Sequence, residues 1–222
     1  MSQKFTLSER IVRKIKTSAE PIMAPLRRKE LNNLDFTIIS NNCWGGRVYE
    51  YYGLQKNSPT IGSYIYAKDY IKFIANLQYY LKQELKVVTA DKAIHAKELL
   101  EDGHADVPIG QIDDVEIVFL HYRDPAIAKD KWERRVARVN FDNLIIKNSY
   151  MCRCDDQCVL DFQAIQGYKK IMFVPKEYSG KDKTDLIYIP SRIHSPTDLG
   201  DDVFDFNKYI DLAELINRPN NK

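Results

Sequence analysis

The chain has 222 residues, 44% of them apolar, with 33 Lys/Arg against 31 Asp/Glu and a net charge of +2. That length and apolar fraction suit one sizeable folded domain and exclude a disordered chain, while the balanced charge is not that of a dedicated nucleic-acid binder, so no nucleic-acid partner is expected. No run approaches the ~20 apolar residues of a membrane span, and four cysteines without an apolar leader read as reduced thiols of a cytoplasmic protein rather than as a disulfide scaffold.

Residues 1–34 read as a basic helical extension, 35–217 as an α/β domain and 218–222 as a flexible tail. The first thirty residues hold eight Lys/Arg and three Glu, a local charge of +5 that leaves −3 for the remainder. Ser8 can cap a helix through about Ala19, with Leu7, Ile11, Val12 and Ile15 on one face and Arg10, Arg13, Lys14 and Lys16 opposite. Such a face either solvates an outer helix or gives peripheral contact with the inner face of an anionic membrane. A packed outer helix is the favoured reading, because the apolar face is short and lacks aromatics. Pro21 and Pro25 then break the chain, and Arg27 to Leu31 can form a further helical turn or two.

Phe36-Thr37-Ile38-Ile39 is a short buried strand that ends in Ser40-Asn41-Asn42-Cys43-Trp44-Gly45-Gly46, a tight corner before a helix over Arg47–Tyr52 that Gly53 stops. Asp69 can cap a helix whose face is Tyr70, Phe73, Ile74, Leu77 and Leu81. Leu85–Thr89 reads as a strand and Ala93–Asp102 as a helix. Val115–Tyr122 is a near-continuous apolar strand of the kind a sheet covered on both faces contains. Asp124-Pro125 opens a helix with Ala128, Trp132, Val136 and Val139 inward. Strands over Leu144–Ile146, Ile171–Val174 and Leu186–Ile189 follow, with helices over Asp155–Gln166 and Tyr209–Ile216. Strands that alternate with helices predict an α/β fold: a mainly parallel sheet with helices on both faces, three-layered and Rossmann-like, but without a dinucleotide fingerprint or a Walker lysine.

In open α/β sheets ligands bind at the C-terminal ends of strands, and three candidate clusters fall there. The first is the corner. A cysteine just before a helix has its thiolate favoured by the dipole, so Cys43 is a candidate nucleophile. Asn41 and Asn42 can donate to an oxyanion or to sugar hydroxyls, Trp44 can contact a sugar ring, and Gly45 and Gly46 allow close backbone approach and positive φ. The second is His121, a candidate general acid or base at the end of the Val115 strand. The third is Arg134, Arg135 and Arg138, spaced to hold phosphate or carboxylate from one helix face. The bland readings are turn asparagines, a small buried thiol, a histidine bonded to backbone and a solvated arginine face. Cys152, Cys154 and Cys158 lack zinc-site spacing, so no metal is expected; no cofactor is indicated.

The corner Ile39–Gly46, then Ser58-Pro59-Thr60, Phe119-Leu120-His121-Tyr122 and Lys131–Asn140, together resemble the bacterial family called domain of unknown function 1919, over about Phe36 to Pro190. The Cys152–Cys158 stretch departs from what that family leads one to expect. The resemblance implies an α/β fold and a setting in exopolysaccharide or other surface-glycan biosynthesis, and supplies no proven catalytic residue. It makes a transferase of acyl or glycosyl groups the leading expectation, with a sugar, nucleotide-sugar or lipid-linked glycan as partner. The alternative is a non-catalytic carbohydrate-binding or assembly protein of a polysaccharide-synthesis complex.

Overall fold

In a computed structural model of the protein, residues 18, 20–190, 202–203 and 205–219 are described. The basic helix read over 8–19 and the end of the tail lie outside or almost wholly outside these residues.

Four strands, β1 (Thr37–Ser40), β5 (Leu144–Ser149), β6 (Lys169–Pro175) and β7 (Leu186–Ile189), form an all-parallel sheet in that order. Side chains alternate across a strand, so each strand feeds two cores. Ile39, Leu144, Ile146, Met172 and Val174 pack on one face with helices α2 (Ala67–Ala75), α5 (Pro125–Val136) and α6 (Asp156–Ala164). Ile38, Ile145, Ile171, Phe173 and Ile189 pack on the other with α1 (Trp44–Tyr52) and α7 (Leu212–Asn217). The sheet is therefore sandwiched between helices, as the alternation of elements predicts. No helix among the described residues is long and apolar enough to cross a membrane.

The Val115 strand is not part of this sheet. β2 (Lys86–Val88), β3 (Ile109–Ile112) and β4 (Val115–Val118) form a separate antiparallel sheet, with β3 and β4 joined through Asp113 and Asp114. A continuous apolar run is compatible with any strand buried on both faces, and periodicity alone does not reveal its partners. β3 escapes the sequence reading because Gly110 interrupts it. That glycine is required: a Cβ there would lie 2.7 Å from both Leu85 Cδ1 and Phe119 Cε2.

β1 is an edge strand, and its outer backbone groups are closed by side chains, which prevents strand addition. Tyr49 OH accepts from Ile38 N (3.2 Å) and donates to Phe36 O (3.0 Å), and Thr60 Oγ1 accepts from Ser40 N (3.2 Å). The Ser58-Pro59-Thr60 segment is thus part of the clamp on β1. α1 ends at Gly53 in the left-handed conformation (φ 58°), and Arg27 and Arg28 donate to the carbonyls of Tyr51 and Tyr52 at 2.9 and 3.1 Å. Those two arginines cap the C-terminal end of α1, where cations complement the helix dipole. Pro21 and Pro25 do not break the chain: residues 20–27 are helical.

Asp69 is not a helix cap either. α2 starts earlier, at Ala67, and ends at Ala75, and Asn76 separates it from a short helix, α3 (Leu77–Tyr80). The buried Asp69 carboxylate instead accepts from Glu116 N (3.0 Å) and lies 3.0 Å from His95 Nε2. The short helix α4 (Ala96–Glu101) begins just after His95. The bond to Asp69 raises the His95 pKa above its ordinary value, against the opposing effect of burial. A histidine whose folded pKa is raised adds stability that is complete below the unfolded value of about 6.5 and disappears as pH climbs through the folded value. His95→Gln is therefore expected to lower the melting temperature more at a pH of about 5.5 than at about 9; an equal loss at both would show that the ion pair contributes nothing.

Candidate active site

The corner forms because β1 delivers three small polar residues to the start of α1. Trp44 N donates to Asn42 Oδ1 (3.1 Å), Gly45 N lies 3.3 Å from Ser40 Oγ, and Ser40 Oγ donates to Asn42 O (2.8 Å). Two of the amides that a helix N-terminus leaves free are thereby satisfied by side chains. The helix starts at Trp44, not near Arg47, so Gly45 and Gly46 lie in its first turn and neither has a positive φ. Their role is close packing: a Cβ at Gly45 would sit 3.1 Å from Ile38 Cγ2, and one at Gly46 would sit 3.2 Å from Ile61 Cγ2.

Cys43 occupies the N-cap position and is half-buried. Its Sγ lies 3.2 Å from Nε2 of the exposed His121, which comes from the turn after β4. Two residues 78 apart in sequence, in turns that follow strands of different sheets, are thus in hydrogen-bond contact. His121 is placed by its backbone N–H, which donates to Gly62 O (3.0 Å). Gly62 has φ 82°, and a Cβ there would meet the Tyr122 ring at 2.8 Å. Tyr122 OH donates to Ile61 O (2.8 Å), and Arg135 reinforces this by donating to both Tyr122 OH (2.7 Å) and Ile61 O (3.1 Å).

Burial pushes the Cys43 thiol above its usual range, opposed by the positive charges of Arg47 and Lys147. Burial, together with Arg47 and Lys56, pushes the His121 imidazole below its usual value. At neutral pH the two therefore rest as thiol and neutral imidazole rather than as an ion pair, which is the state in which His121 can accept a proton. Arg47 and Lys56 share Glu50, each at 2.9 Å. These three side chains together leave a net positive charge beside the dyad.

Behind the corner the expected residues Asn41 and Asn42 join a buried polar cluster with Lys147, Ser149 and Asp202, which the sequence pattern does not single out. Lys147 and Asp202 are both fully buried, with Lys147 Nζ 2.5 Å from Asp202 Oδ2. Lys147 also donates to Asn42 Oδ1 (2.9 Å) and to Ser149 Oγ, while Asn42 Nδ2 donates to Asp202 Oδ2 (3.0 Å). Asn41 is buried too and donates to Ser149 O (3.2 Å). Burial lowers the Lys147 pKa and the Asp202 charge works against that. The available signal was the run Lys147-Asn148-Ser149, which continues an apolar strand into the ligand-binding edge of the sheet.

Other expected residues are placed elsewhere. Trp44 is fully buried between Phe173 and Phe206, with ring centroids 6.4 and 5.8 Å away, so it presents no face to a sugar. Its indole N–H has no partner among the described residues. Trp44→Phe is accordingly expected to cost only about 1 kcal/mol, the scale of the small cavity left, and to leave Cys43 reactivity unchanged in an alkylation assay. Arg134, exposed on α5, is held by Asp130 (2.5 Å), and Arg138, just past the end of that helix, bonds Arg134 O through its Nε (3.1 Å), so of the three arginines only Arg135 reaches the His121 loop. Cys154 and Cys158 bracket the Asp155 cap of α6, and Cys152 is buried with φ 54°. Among the described residues no group of three or more His, Cys, Asp or Glu is arranged to hold a metal ion.

A layered α/β domain with a cysteine–histidine pair at the mouth of its parallel sheet is the class that this geometry defines. Residues 14–196 match the family described as domain of unknown function (DUF1919), and the chain belongs to that family. It is also 28% identical over 151 residues to a Haemophilus influenzae (strain ATCC 51907 / DSM 11121 / KW20 / Rd) protein described as uncharacterized, a match covering 68% of this chain and 67% of the relative.

Proposed function

We propose that the protein is a group-transfer enzyme of surface-glycan or exopolysaccharide biosynthesis, with Cys43 as nucleophile and His121 as general base. The contact of 3.2 Å between Cys43 Sγ and His121 Nε2 carries the reading. It favours acyl over glycosyl transfer, since glycosyl transfer leaves that contact without a task. In the acyl-transfer cycle the Cys43 thiol attacks the carbonyl of an ester or thioester donor and its proton passes to His121 Nε2. The donor's leaving group departs with that proton. A glycan hydroxyl then loses its proton to His121 and attacks the acyl-cysteine, and the proton returns to the thiol. Arg47 and Lys56 suit a donor or acceptor carrying phosphate or carboxylate. Action at the inner face of the membrane is part of the same reading. A non-catalytic assembly role draws on a different observation, the exposure of Ile22, Met23 and Leu26 on the helical stretch 20–27.

Incubation with acyl-coenzyme A and acyl-ester donors should give an acyl adduct on Cys43, seen by intact mass and removed by hydroxylamine. Cys43→Ser should show no hydroxylamine-sensitive adduct, and a producing strain carrying it should lose the polymer modification. Normal polymer from both Cys43→Ser and His121→Ala proteins that fold would favour the assembly role.

A further inference from the structure

Three donors from the ends of two adjacent strands converge on one carboxylate oxygen. Lys147 Nζ, Asn42 Nδ2 and Ser149 Oγ all bond Asp202 Oδ2, the first two at 2.5 and 3.0 Å. Lys147 faces Ser40 across the β1–β5 register, so the ammonium lies at the C-terminal edge of the parallel sheet, directly behind the turn that presents Cys43. We infer that Lys147, Asn42 and Ser149 form an oxyanion-binding cradle for a carboxylate or phosphate group of a ligand, which the chain's own Asp202 fills.

The donor set supports this. An ammonium, an amide N–H and a hydroxyl aimed at a single point are what a carboxylate or phosphate oxygen requires, and charge-assisted bonds of this kind are the strong ones. A lysine kept only for stability is poorly explained, because apolar residues of similar volume usually serve a buried position at least as well. Asn42, Lys147 and Ser149 lie within the family-matched residues 14–196, and Asp202 lies just past them. The hold on Asp202 is one-sided, since its Oδ1 has no partner among the described residues, and neither has the buried Asn41 Oδ1. The edge of an open α/β sheet is also where anionic ligand groups bind in this class of fold.

This inference concerns binding and stands apart from acyl transfer: a Cys43→Ser background should leave it unaffected. Its test is thermal unfolding of Asp202→Ala, titrated with sodium phosphate or sodium formate against sodium chloride at matched ionic strength. The melting temperature should rise saturably with the oxyanion, as linkage requires of a ligand that binds only the folded state. The stronger of the two responses tells phosphate from carboxylate. Wild type should need at least about tenfold more anion, because Asp202 competes for the cradle. Asp202→Ala combined with Lys147→Met should respond no more than the chloride control. Equal melting of Asp202→Ala in phosphate, formate and chloride would overturn the inference. Where Asp202→Ala does not fold alone, refolding from urea with each salt decides the matter: recovery in phosphate or formate but not chloride supports the cradle, and failure in all three overturns it.

Discussion

Lys147→Met is expected to cost the fold about 3–5 kcal/mol, the usual loss when one partner of a buried ion pair is removed. The reason is electrostatic. Asp202 is fully buried and loses an ammonium 2.5 Å away, while Asn42 Oδ1 loses a donor at 2.9 Å. A carboxylate left in that surrounding must either stay charged without its counter-ion or take up a proton. Asp202→Ala should be similarly costly, because it strands the ammonium. The pair Lys147→Met/Asp202→Ala should lose far less than the sum of the two, since no buried charge remains. Urea unfolding with unchanged m-values is the measurement; additivity of the two single losses would show that the ion pair is not the cause.

On the proposed acyl-transfer reading, His121→Ala is expected to slow transfer at neutral pH by roughly 10²–10⁴-fold, the range for loss of a positioned general base. The pH dependence follows from the directions of the two shifts. His121 must be neutral to accept a proton, and its pKa lies below the ordinary imidazole value, so wild-type activity should fall only in the acid range, below about pH 6.5. The raised Cys43 pKa keeps the thiol protonated across neutrality. Direct alkylation by iodoacetamide needs the thiolate, and its rate should therefore keep rising through the ordinary thiol range and level off only above it. His121→Ala should reduce transfer strongly and alkylation at high pH little. A plateau of alkylation near neutral pH would instead reveal a preformed thiolate–imidazolium pair, and the neutral-dyad reading would fail.

The class of fold, most of its elements and the corner itself were legible in the sequence because each rests on local chemistry. Asp124-Pro125 reads as a helix start since Asp124 Oδ1 can accept from Ala126 and Ile127 N, and it does so at 2.8 and 3.3 Å. Gly53 reads as a stop since only a left-handed residue turns the chain there. The apolar runs of β1, β5, β6 and β7 mark strands whichever partners they take.

Pairing and burial were decided by the tertiary structure. The Val115 strand joins β3, not β1, because hairpin closure through Asp113 and Asp114 is local, whereas a parallel partner requires a long crossover. Trp44 faces the α7 side of the sheet because helix phase points it there, so a residue suited by type to sugar stacking is core. Asp69 and Lys147, ordinary surface residues by type, are buried because partners far along the chain, His95 with Glu116 and Asp202 with Asn42, satisfy them. The sequence by itself determined that a cysteine would stand at the mouth of a parallel strand. Only the folded chain decided that His121 reaches it and that Lys147 lies behind it, since contacts over such separations depend on how elements dock and not on any local preference.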